Sequence, residues 1–289
     1  MSTGASGDFL AGMAASSRAR SADAQARLPA RELRARITDL PPAPKLSLSG
    51  FDLIAEVKLR SPAVGLLKAA AEEDVGARVA GYARAGAAAV SILTEPSRFD
   101  GSLADLAGGS RALAPLNVPA MRKDFLVDGY QVLEGRAAGA GGVLAILRML
   151  PRGDLEDLID TALGLEMFVL LEGFDEPDIE LANRLIDARG AHRHLLMVGI
   201  NSRDLVSLEV VPGRLDAMAA VLPSGVARVA ESGVATAADA ARVAAAGYDL
   251  ALVGSALMSA ADPAGLAAAM LSEGRAAVAA RGMAAGGRA

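Results

Sequence analysis

Short apolar runs alternate with longer, alanine-rich amphipathic stretches from Phe51 almost to the C-terminal end of the chain. A short continuous apolar run suits a strand that is buried on both faces, and the stretches between the runs are long enough for a helix. This alternation predicts repeated strand–helix units and a parallel sheet. Eight runs are predicted as strands: Leu53–Val57, Ala89–Leu93, Ala120–Arg122, Gly142–Ile146, Phe168–Leu171, Leu195–Gly199, Val226–Ala230 and Leu250–Val253.

The number of units distinguishes between the two common parallel architectures. Eight units in about 200 residues are typical of a closed barrel, whereas a doubly wound sheet usually stops near six strands. The sequence therefore predicts an α/β fold, a (β/α)8 TIM barrel. The predicted helices are Ala71–Ala85, Gln131–Ala138, Leu155–Leu163, Glu176–Ala188, Ala235–Ala246 and Pro263–Leu271.

The two ends of the chain differ from the repeated part. Phe9 to Arg36 is rich in helix formers and predicts an extra N-terminal helix that covers one mouth of the barrel. Residues 1–8 are rich in glycine, serine and threonine, which predicts disorder. Residues 281–289 consist mostly of small residues, which predicts a flexible tail. We expect residues 9–280 to form a single barrel domain that includes the N-terminal helical extension.

The first predicted strand lies in LIAEVKLRSP, Leu53 to Pro62, where Glu56 and Lys58 interrupt an apolar run. Both charges lie on the same face of a strand with period 2. Ser61-Pro62 ends the strand, because proline has no N–H for a ladder and restricts the residue before it. Charges among apolar residues are costly to bury unless they pair or act on a ligand. They indicate either a strand-end ion pair or part of a site.

Polar residues recur at the ends of seven of the eight predicted strands, and the fourth strand, which runs into Leu147, is the exception. In a (β/α)8 barrel these ends gather at the C-terminal face, where active sites lie. Burying so many charged or polar groups carries a desolvation penalty that folding alone does not explain, so the pattern favours an active site. The polar residues are Glu56, Lys58, Thr94, Glu95, Lys123, Asp124, Glu172, Asn201, Arg203, Asp204, Glu231, Ser232 and Ser255.

Ser232-Gly233 and Gly254-Ser255 follow the last two predicted strands. Both pairs offer backbone N–H groups and hydroxyls without bulky side chains. The loops after strands seven and eight, together with the N-terminus of a short helix, form the usual phosphate site of these barrels. A short helix is predicted here at Ala256 to Met258. The pattern indicates a phosphorylated substrate.

Composition excludes several classes of function. The chain has 289 residues, a net charge of −5 with interspersed signs, and 3% aromatic residues, which argue against a nucleic-acid partner. It contains no cysteine, so disulfides, thiolate catalysis and cysteine-based metal sites are excluded. Because no apolar run reaches the roughly 20 residues of a membrane span and no signal-peptide core is evident, we expect a cytoplasmic protein without a membrane partner.

Six sequence blocks occur in order, separated by about the length of the predicted strand–helix units, and they include most of the polar strand ends. They are LIAEVKLRSP, SILTEPSRFDGS, MRKDFLVDGYQ, GINSRDL, VAESGV and LVGSALM. Together with FLAGMAASSRAR near the N-terminus, they resemble the indole-3-glycerol-phosphate synthase family of tryptophan biosynthesis. The resemblance extends from Phe9 to Met258.

The resemblance implies a decarboxylating and dehydrating ring closure, the reaction of a carboxy-lyase. Its substrate is the phosphate ester 1-(2-carboxyphenylamino)-1-deoxyribulose 5-phosphate, and its products are indole-3-glycerol phosphate, carbon dioxide and water. It implies no metal and no organic cofactor. By the same matching, Lys123 corresponds to the general acid and Glu172 to a second acid–base group. Lys58, Glu56 and Asn201 complete the implied catalytic set.

The resemblance also implies binding roles. Arg203 is the candidate partner of the anthranilate carboxylate, because a guanidinium recognises a carboxylate through two parallel hydrogen bonds. Phe99 and Phe125 are candidates to flank the aromatic ring, although either could equally be core filler. The remaining implied substrate-binding residues are Ser61, Glu95 and Glu231, and the implied phosphate-binding residues are Ser232, Gly233, Gly254 and Ser255.

The chain departs from the family pattern at three places. Ala63 stands where the family usually has a second serine after Ser-Pro, and Gly173-Phe174 follows Glu172 in place of the usual residues. The stretch that holds His192 and His194, the only histidines, is longer than expected. Because this stretch precedes a strand, we expect a solvated loop on the non-catalytic face rather than a metal site.

Two other barrel enzymes of phosphorylated metabolites match these residues less well. Phosphoribosylanthranilate isomerase uses a cysteine that this chain lacks, and tryptophan synthase α-type lyases lack a lysine like that of MRKDF. A related cyclase of specialised metabolism acting on a modified substrate, or an inactive barrel paralogue that serves as a binding subunit, stays open. The expected partner is a phosphorylated small molecule, and the oligomeric state, monomer or weak dimer, is not indicated.

Overall fold

A closed barrel of eight parallel strands forms the centre of the molecule. The computed structural model describes residues 3–62, 65–68, 73–205 and 207–286. Around the barrel the hydrogen-bonded order is β1-β10-β9-β8-β7-β6-β5-β4, and β2 and β3 form a small separate hairpin. The strands are β1 (Asp52–Val57), β2 (Arg60–Ser61), β3 (Gly65–Leu66), β4 (Ala89–Leu93), β5 (Ala120–Lys123), β6 (Gly142–Ile146), β7 (Phe168–Gly173), β8 (Leu196–Asn201), β9 (Ala227–Glu231) and β10 (Leu250–Val253).

Helices surround the barrel and extend the chain at both ends. Several begin with a side chain that accepts a hydrogen bond from the first turn, such as Asp74, Ser102, Asp128 and Thr236. The helices are α1 (Thr3–Arg27), α2 (Ala30–Thr38), α3 (Val75–Arg84), α4 (Pro96–Phe99), α5 (Leu103–Leu113), α6 (Gly129–Ala137), α7 (Arg152–Gly164), α8 (Glu176–Asp187), α9 (Arg214–Ala219), α10 (Ala237–Ala246), α11 (Ser255–Ser259) and α12 (Pro263–Gly286).

The strands bury both faces, and their two faces contribute to different cores. In β1, Leu53, Ala55 and Val57 pack in the layer between strands and helices, whereas Ile54 packs in the barrel interior. Because side chains alternate along a strand, the next inward position after Ile54 is Glu56. The same alternation gives inward Met121 followed by Lys123 in β5. Apolar residues thus fill the barrel's lower interior, and polar ones follow at the C-terminal mouth.

The inward register repeats in the remaining strands that supply polar groups. Leu170 precedes Glu172 in β7, Met197 precedes Gly199 and Asn201 in β8, and Val229 precedes Glu231 in β9, with the leucine, methionine and valine all packed in the interior core. Burial of the strand therefore fixes which way each polar side chain points.

The predicted barrel is confirmed, and each predicted strand is present. Three strands, Ala89–Leu93, Gly142–Ile146 and Leu250–Val253, have the predicted bounds. Helices α4, α5 and α9 were not predicted; Gly108 and Gly109 within α5 weaken the helical pattern of that segment.

The N-terminal extension contains two helices rather than the one predicted over Phe9 to Arg36. Pro29 stands between α1 and α2, lacks an N–H, and disfavours helical geometry in Leu28, which accounts for the break. Helices also extend into the end where disorder was expected and into the end where a flexible tail was expected, since α1 begins at Thr3 and α12 continues to Gly286. The division into one domain with two flexible ends stays a prediction.

No helix in the described part of the chain is long and apolar enough to span a bilayer. Ala63, where a serine was expected, lies outside the described residues.

Candidate active site

A single cavity at the C-terminal mouth of the barrel brings together all the predicted site residues except Glu95. Its walls come from residues at the strand ends and from the N-terminal helix α1. The predicted residues that line it are Glu56, Lys58, Ser61, Phe99, Lys123, Phe125, Glu172, Asn201, Arg203, Glu231, Ser232, Gly233, Gly254 and Ser255.

Glu56 lies between two lysines and contacts each of them through a different oxygen. Its Oε1 is 2.7 Å from Lys58 Nζ, and its Oε2 is 3.8 Å from Lys123 Nζ. Lys123 Nζ also lies 4.0 Å from Glu172 Oε2 on the other side. The four residues form a chain of alternating charge, Lys58–Glu56–Lys123–Glu172, across the floor of the cavity.

The protonation states in this chain depend on each other. Burial by itself would raise the pKa of Glu56, but the neighbouring Lys58 and Lys123 outweigh it and hold that pKa below its ordinary value. Burial would lower the pKa of Lys123, but Glu56, Glu172 and Glu231 outweigh it and raise that pKa. Lys123 is therefore a protonated ammonium at neutral pH inside a largely buried site.

Glu231 is a buried acid beside Glu172, and no cation of the described residues forms an ion pair with it. Within the described residues, neither of its carboxyl oxygens has a hydrogen-bond partner. Burial and the nearby Glu172 charge raise the pKa of Glu231 well above its ordinary value. Gly199 makes this placement possible, because an added Cβ on that residue would overlap the Glu231 carboxylate. Glu231 therefore holds a proton more firmly than an ordinary glutamic acid.

Replacing Glu231 with glutamine is expected to stabilise the fold in a pH-dependent way. Since the folded-state pKa lies above the unfolded value, the wild-type protein loses stability as pH rises through the folded pKa, while the neutral amide does not. The melting temperature of Glu231→Gln should match the wild type near pH 4.5 and exceed it increasingly up to pH 8. Scanning calorimetry across this range measures the difference, and a constant difference would contradict the assignment.

The turn after β9 and the start of α11 form one end of the cavity. Ser232 and Gly233 adopt left-handed backbone conformations, with φ of 64° and 74°. Glycine adopts this conformation freely, whereas a serine that does so marks backbone strain of the kind found at binding sites. Ser255 begins α11 directly after Gly254. Backbone N–H groups from both segments are therefore available to an anion.

Gly254 has a second role that its predicted phosphate contact does not cover. A Cβ added at this position would overlap Glu56 Oε1 and would lie 3.0 Å from Lys58 Nζ. The bare backbone of Gly254 therefore makes room for the Glu56–Lys58 ion pair.

Gly254→Ala is expected to reduce kcat/KM by about tenfold to a hundredfold, because overpacking here costs about 1–3 kcal/mol and displaces Glu56 and Lys58 together. Steady-state kinetics with the phosphorylated substrate measures this change. Gly153→Ala is the matched control, since an added Cβ at Gly153 meets nothing within 4 Å. Equal effects of the two substitutions would contradict the close approach at Gly254.

Asn201 links the turn after β9 to the loop after β8. Its Oδ1 accepts a hydrogen bond from Ser232 Oγ at 2.9 Å and from the backbone N–H of Arg203 at 3.0 Å. The Arg203 guanidinium donates to the Leu208 carbonyl, and burial lowers the pKa of Arg203. Asn201 and Arg203 therefore face the cavity from one preformed hydrogen-bonded unit.

Glu95 was predicted to bind substrate, but the structure uses its carboxylate to begin α4. Oε1 accepts from the Ser97 backbone N–H at 2.9 Å and from Ser97 Oγ at 2.6 Å, and Oε2 accepts from the Arg98 N–H at 2.7 Å. The side chain is fully buried and does not line the cavity. The first turn of α4, which starts one residue later, thus supplies hydrogen-bond donors to the Glu95 carboxylate. The pattern of polar strand ends did not reveal this helix.

Aromatic side chains form one wall of the cavity. The rings of Phe99 and Phe125 lie 6.2 Å apart, and Phe9 of α1 meets Phe125 edge-on at 5.9 Å. Phe9 and Leu10 both line the cavity, and sequence reasoning gave neither a role. A covering helix had been expected, but no local pattern indicated which of its residues reach the mouth.

The unusual Gly173-Phe174 stretch leaves Glu172 on the inward face of β7. Asp178 packs close to Gly173, where an added Cβ would come within 2.9 Å of the Asp178 Cβ, and it accepts the Phe174 N–H at 2.8 Å. Arg148 lies 4.8 Å above the Phe174 ring and donates to Asp178. These contacts hold the turn that follows Glu172.

His192 and His194 lie in a 3-10 helix, Gly190–Leu195, directly before β8. Both are exposed and lie away from the cavity. Among the described residues, no three histidine, aspartate or glutamate side chains are grouped closely enough to hold a metal ion.

Comparison with known sequences gives a consistent result over most of the chain. The family model for indole-3-glycerol phosphate synthase matches residues 13–270. An indole-3-glycerol phosphate synthase from a Nocardioides species is 42% identical over 239 residues, which is 81% of this chain and 86% of that protein. Indole-3-glycerol phosphate synthase 1 of Streptomyces coelicolor is 40% identical over 250 residues, covering 85% of this chain and 88% of that protein.

Solved structures that are similar to this chain share its fold at low sequence identity. The thiamine phosphate pyrophosphorylase of Pyrococcus furiosus has a TM-score of 0.56 at 15% identity and covers 79% of this chain and 96% of its own. The 3-hexulose-6-phosphate synthase of Salmonella typhimurium also has a TM-score of 0.56 at 15% identity, covering 80% of this chain and 99% of its own. At this identity the likeness concerns the barrel alone.

Proposed function

The chain belongs to the indole-3-glycerol phosphate synthase family, and from that premise we propose how its cavity carries out the family's ring closure. The substrate is 1-(2-carboxyphenylamino)-1-deoxyribulose 5-phosphate, and the products are indole-3-glycerol phosphate, carbon dioxide and water. The observation that carries the proposal is the placement of Lys123, a protonated lysine, between Glu56 and Glu172.

In the first stage, the aromatic carbon that bears the carboxylate attacks the ketone carbon of the substrate. The new carbon–carbon bond pushes an electron pair onto the ketone oxygen, which takes a proton from the Lys123 ammonium. Carbon dioxide then leaves, and its bonding electrons restore the aromatic ring. Glu56 supports this stage by keeping Lys123 charged and in place, because the carboxylate lies 3.8 Å from Lys123 Nζ.

In the second stage, the hydroxyl formed from the ketone leaves as water and the pyrrole double bond forms. The hydroxyl must gain a proton and the neighbouring carbon must lose one. Glu172 is the group we assign to this exchange, since its Oε2 lies 4.0 Å from Lys123 Nζ and has no hydrogen-bond partner among the described residues. A carboxyl group and an ammonium this close can pass protons to the same substrate atoms in turn.

Binding places the two anionic ends of the substrate at separate places in the cavity. We assign the phosphate to Ser232, Gly233, Gly254 and Ser255, where the backbone offers N–H groups. Arg203 and Lys58 are the cations available to the anthranilate carboxylate, and Phe99 and Phe125 to its ring. Ser61 and Asn201 supply neutral hydrogen bonds. Glu231 lies beside the acid–base pair and supports their protonation.

We also propose that the protein acts in the cytoplasm, because a sugar phosphate with several charges does not cross a membrane unaided.

The test is to supply the purified protein with 1-(2-carboxyphenylamino)-1-deoxyribulose 5-phosphate and follow the indole fluorescence of the product. We expect turnover without added metal or cofactor. The dephosphorylated analogue, at matched concentration, should bind far more weakly, because the contacts of the turn after β9 and of α11 are lost. Folded protein that gives no product would contradict the assignment, and equal binding of both compounds would contradict the phosphate site.

A further inference from the structure

An ion pair between Arg20 and Asp124 joins the N-terminal helix to the residue that follows Lys123. Arg20 Nη1 donates to Asp124 Oδ2 at 3.0 Å, and Nη2 donates to Oδ1 at 2.8 Å, a two-point contact between residues 104 positions apart. The Asp124 side chain is fully buried, and Arg20 remains partly exposed. A planar guanidinium that engages both oxygens fixes the orientation of the carboxylate as well as its charge.

Asp124 is also the centre of a buried hydrogen-bond network at the end of β5. Its Oδ2 accepts from Thr94 Oγ1 at 2.7 Å, and its Oδ1 accepts from the Phe125 backbone N–H at 2.8 Å. The Arg122 guanidinium lies 3.4 Å away and donates as well to Thr94 Oγ1. These bonds hold the backbone at Asp124 and Phe125 on one side of Lys123.

The other side of Lys123 is held by the barrel. The backbone carbonyl of Lys123 accepts from the Thr94 N–H at 3.0 Å, and Leu93 pairs with Lys123 across the sheet. The backbone of Lys123 is therefore anchored by strand pairing before it and by the Asp124 network after it. Among the described residues that bond to Asp124, Arg20 is the one that comes from the N-terminal helix.

We propose that Arg20 is a positioning residue for the reaction: through Asp124 it holds the Lys123 ammonium at the distance from Glu56 and Glu172 that proton transfer requires. The inference rests on the proposed function, because it assumes that Lys123 is the proton donor. Asp124 acts on Lys123 by geometry, through the backbone that connects the two residues. Docking of α1 is thereby coupled to the alignment of the proton donor.

A second effect of Arg20 has to be separated from the first. α1 carries Phe9 and Leu10, which line the cavity, so a helix that is merely loosened would weaken substrate binding. Another contact of the same helix offers a matched comparison. Ser21 Oγ donates to Asp128 Oδ2 at 2.6 Å and docks α1 without touching Asp124. Ser21→Ala therefore loosens α1 and leaves the Arg20–Asp124 pair in place.

The experiment compares Arg20→Ala, Arg20→Lys, Ser21→Ala and Arg18→Ala in the full chain, with Arg18 an exposed residue of the same helix. Arg20→Ala should lower kcat by about tenfold to a hundredfold with KM changed by less than about threefold, since a small misplacement of a catalytic group costs that much. Arg20→Lys, which keeps the charge but not the fork, should fall between. Ser21→Ala should retain kcat, and Arg18→Ala should match the wild type.

Two further measurements make the outcome decisive. Methylguanidinium added to Arg20→Ala should restore part of kcat and should leave Ser21→Ala unchanged. Amide hydrogen exchange in residues 124–127 should be faster in Arg20→Ala than in the wild type or in Ser21→Ala, and this readout needs no turnover. Unchanged exchange in that segment, or a loss confined to KM, would overturn the inference. Absence of turnover in the wild type would instead overturn the proposed function.

Discussion

Replacing Lys123 with methionine is expected to lower kcat by about a thousandfold, because the site loses the ammonium that, in the proposed reaction, protonates the substrate ketone. Methionine keeps most of the apolar length of lysine and leaves no large cavity. The melting temperature should change by only a few degrees, since relief of the desolvation of a buried cation opposes the loss of its attraction to Glu56 and Glu172. Kinetics and thermal unfolding on the same preparation measure both effects.

The control for this substitution is Lys45→Met. Lys45 is largely exposed and lies 3.9 Å from Glu166 at the surface, so its removal should leave both kcat and the melting temperature unchanged. A large loss of folding stability in Lys123→Met would make Lys123 a structural residue. Full activity with intact stability would remove it from the chemistry.

Replacing Glu172 with glutamine should lower kcat by about a hundredfold to a thousandfold, because the amide keeps the shape of the side chain but cannot take and return a proton. Binding of product should remain near the wild-type value, since the phosphate and carboxylate contacts are untouched. The same change removes a negative charge beside Glu231 and should lower the pKa of Glu231. A flatter dependence of melting temperature on pH would reveal that second effect.

Glu176→Gln provides the matched comparison for Glu172. Glu176 lies four residues later in an exposed position at the start of α8 and faces away from the cavity. This variant should turn over as the wild type does. If Glu172→Gln retained full kcat, the second stage of the reaction would need another proton carrier, and Glu231 would be the next candidate.

The barrel and most of the site were predictable because two simple periodicities coincide. Apolar runs separated by helices predict parallel strands, and alternation along each strand then predicts which residues face inward. Ile54 and Glu56, or Met121 and Lys123, are two positions apart, so a polar residue at the end of an apolar strand is placed at the mouth of the barrel without further information. The positions of the polar residues at the strand ends could therefore be predicted from the sequence.

What could not be predicted depends on contacts between distant parts of the chain. The partner of Asp124 is Arg20, which lies 104 residues earlier, and nothing near either residue indicates the other. Phe9 reaches the cavity only because α1 crosses the mouth. The capping contacts of Glu95 could not be predicted for a local reason, since the short helix α4 that its carboxylate caps has no hydrophobic periodicity to reveal it.

The seam of the barrel joins the first strand to the last, with Asp52 opposite Leu250 and Ala55 opposite Val253. During synthesis, β1 cannot pair with β10 until almost all of the chain has left the ribosome. Contacts so far apart along the chain form slowly, and a large domain completes them last. Glu56 lies on one side of the seam and Gly254 follows the strand on the other side. Without the final unit, the cavity that contains Lys123 and Glu172 therefore lacks the wall next to Glu56. Under the proposed function, turnover therefore requires the last strand to be paired with the first.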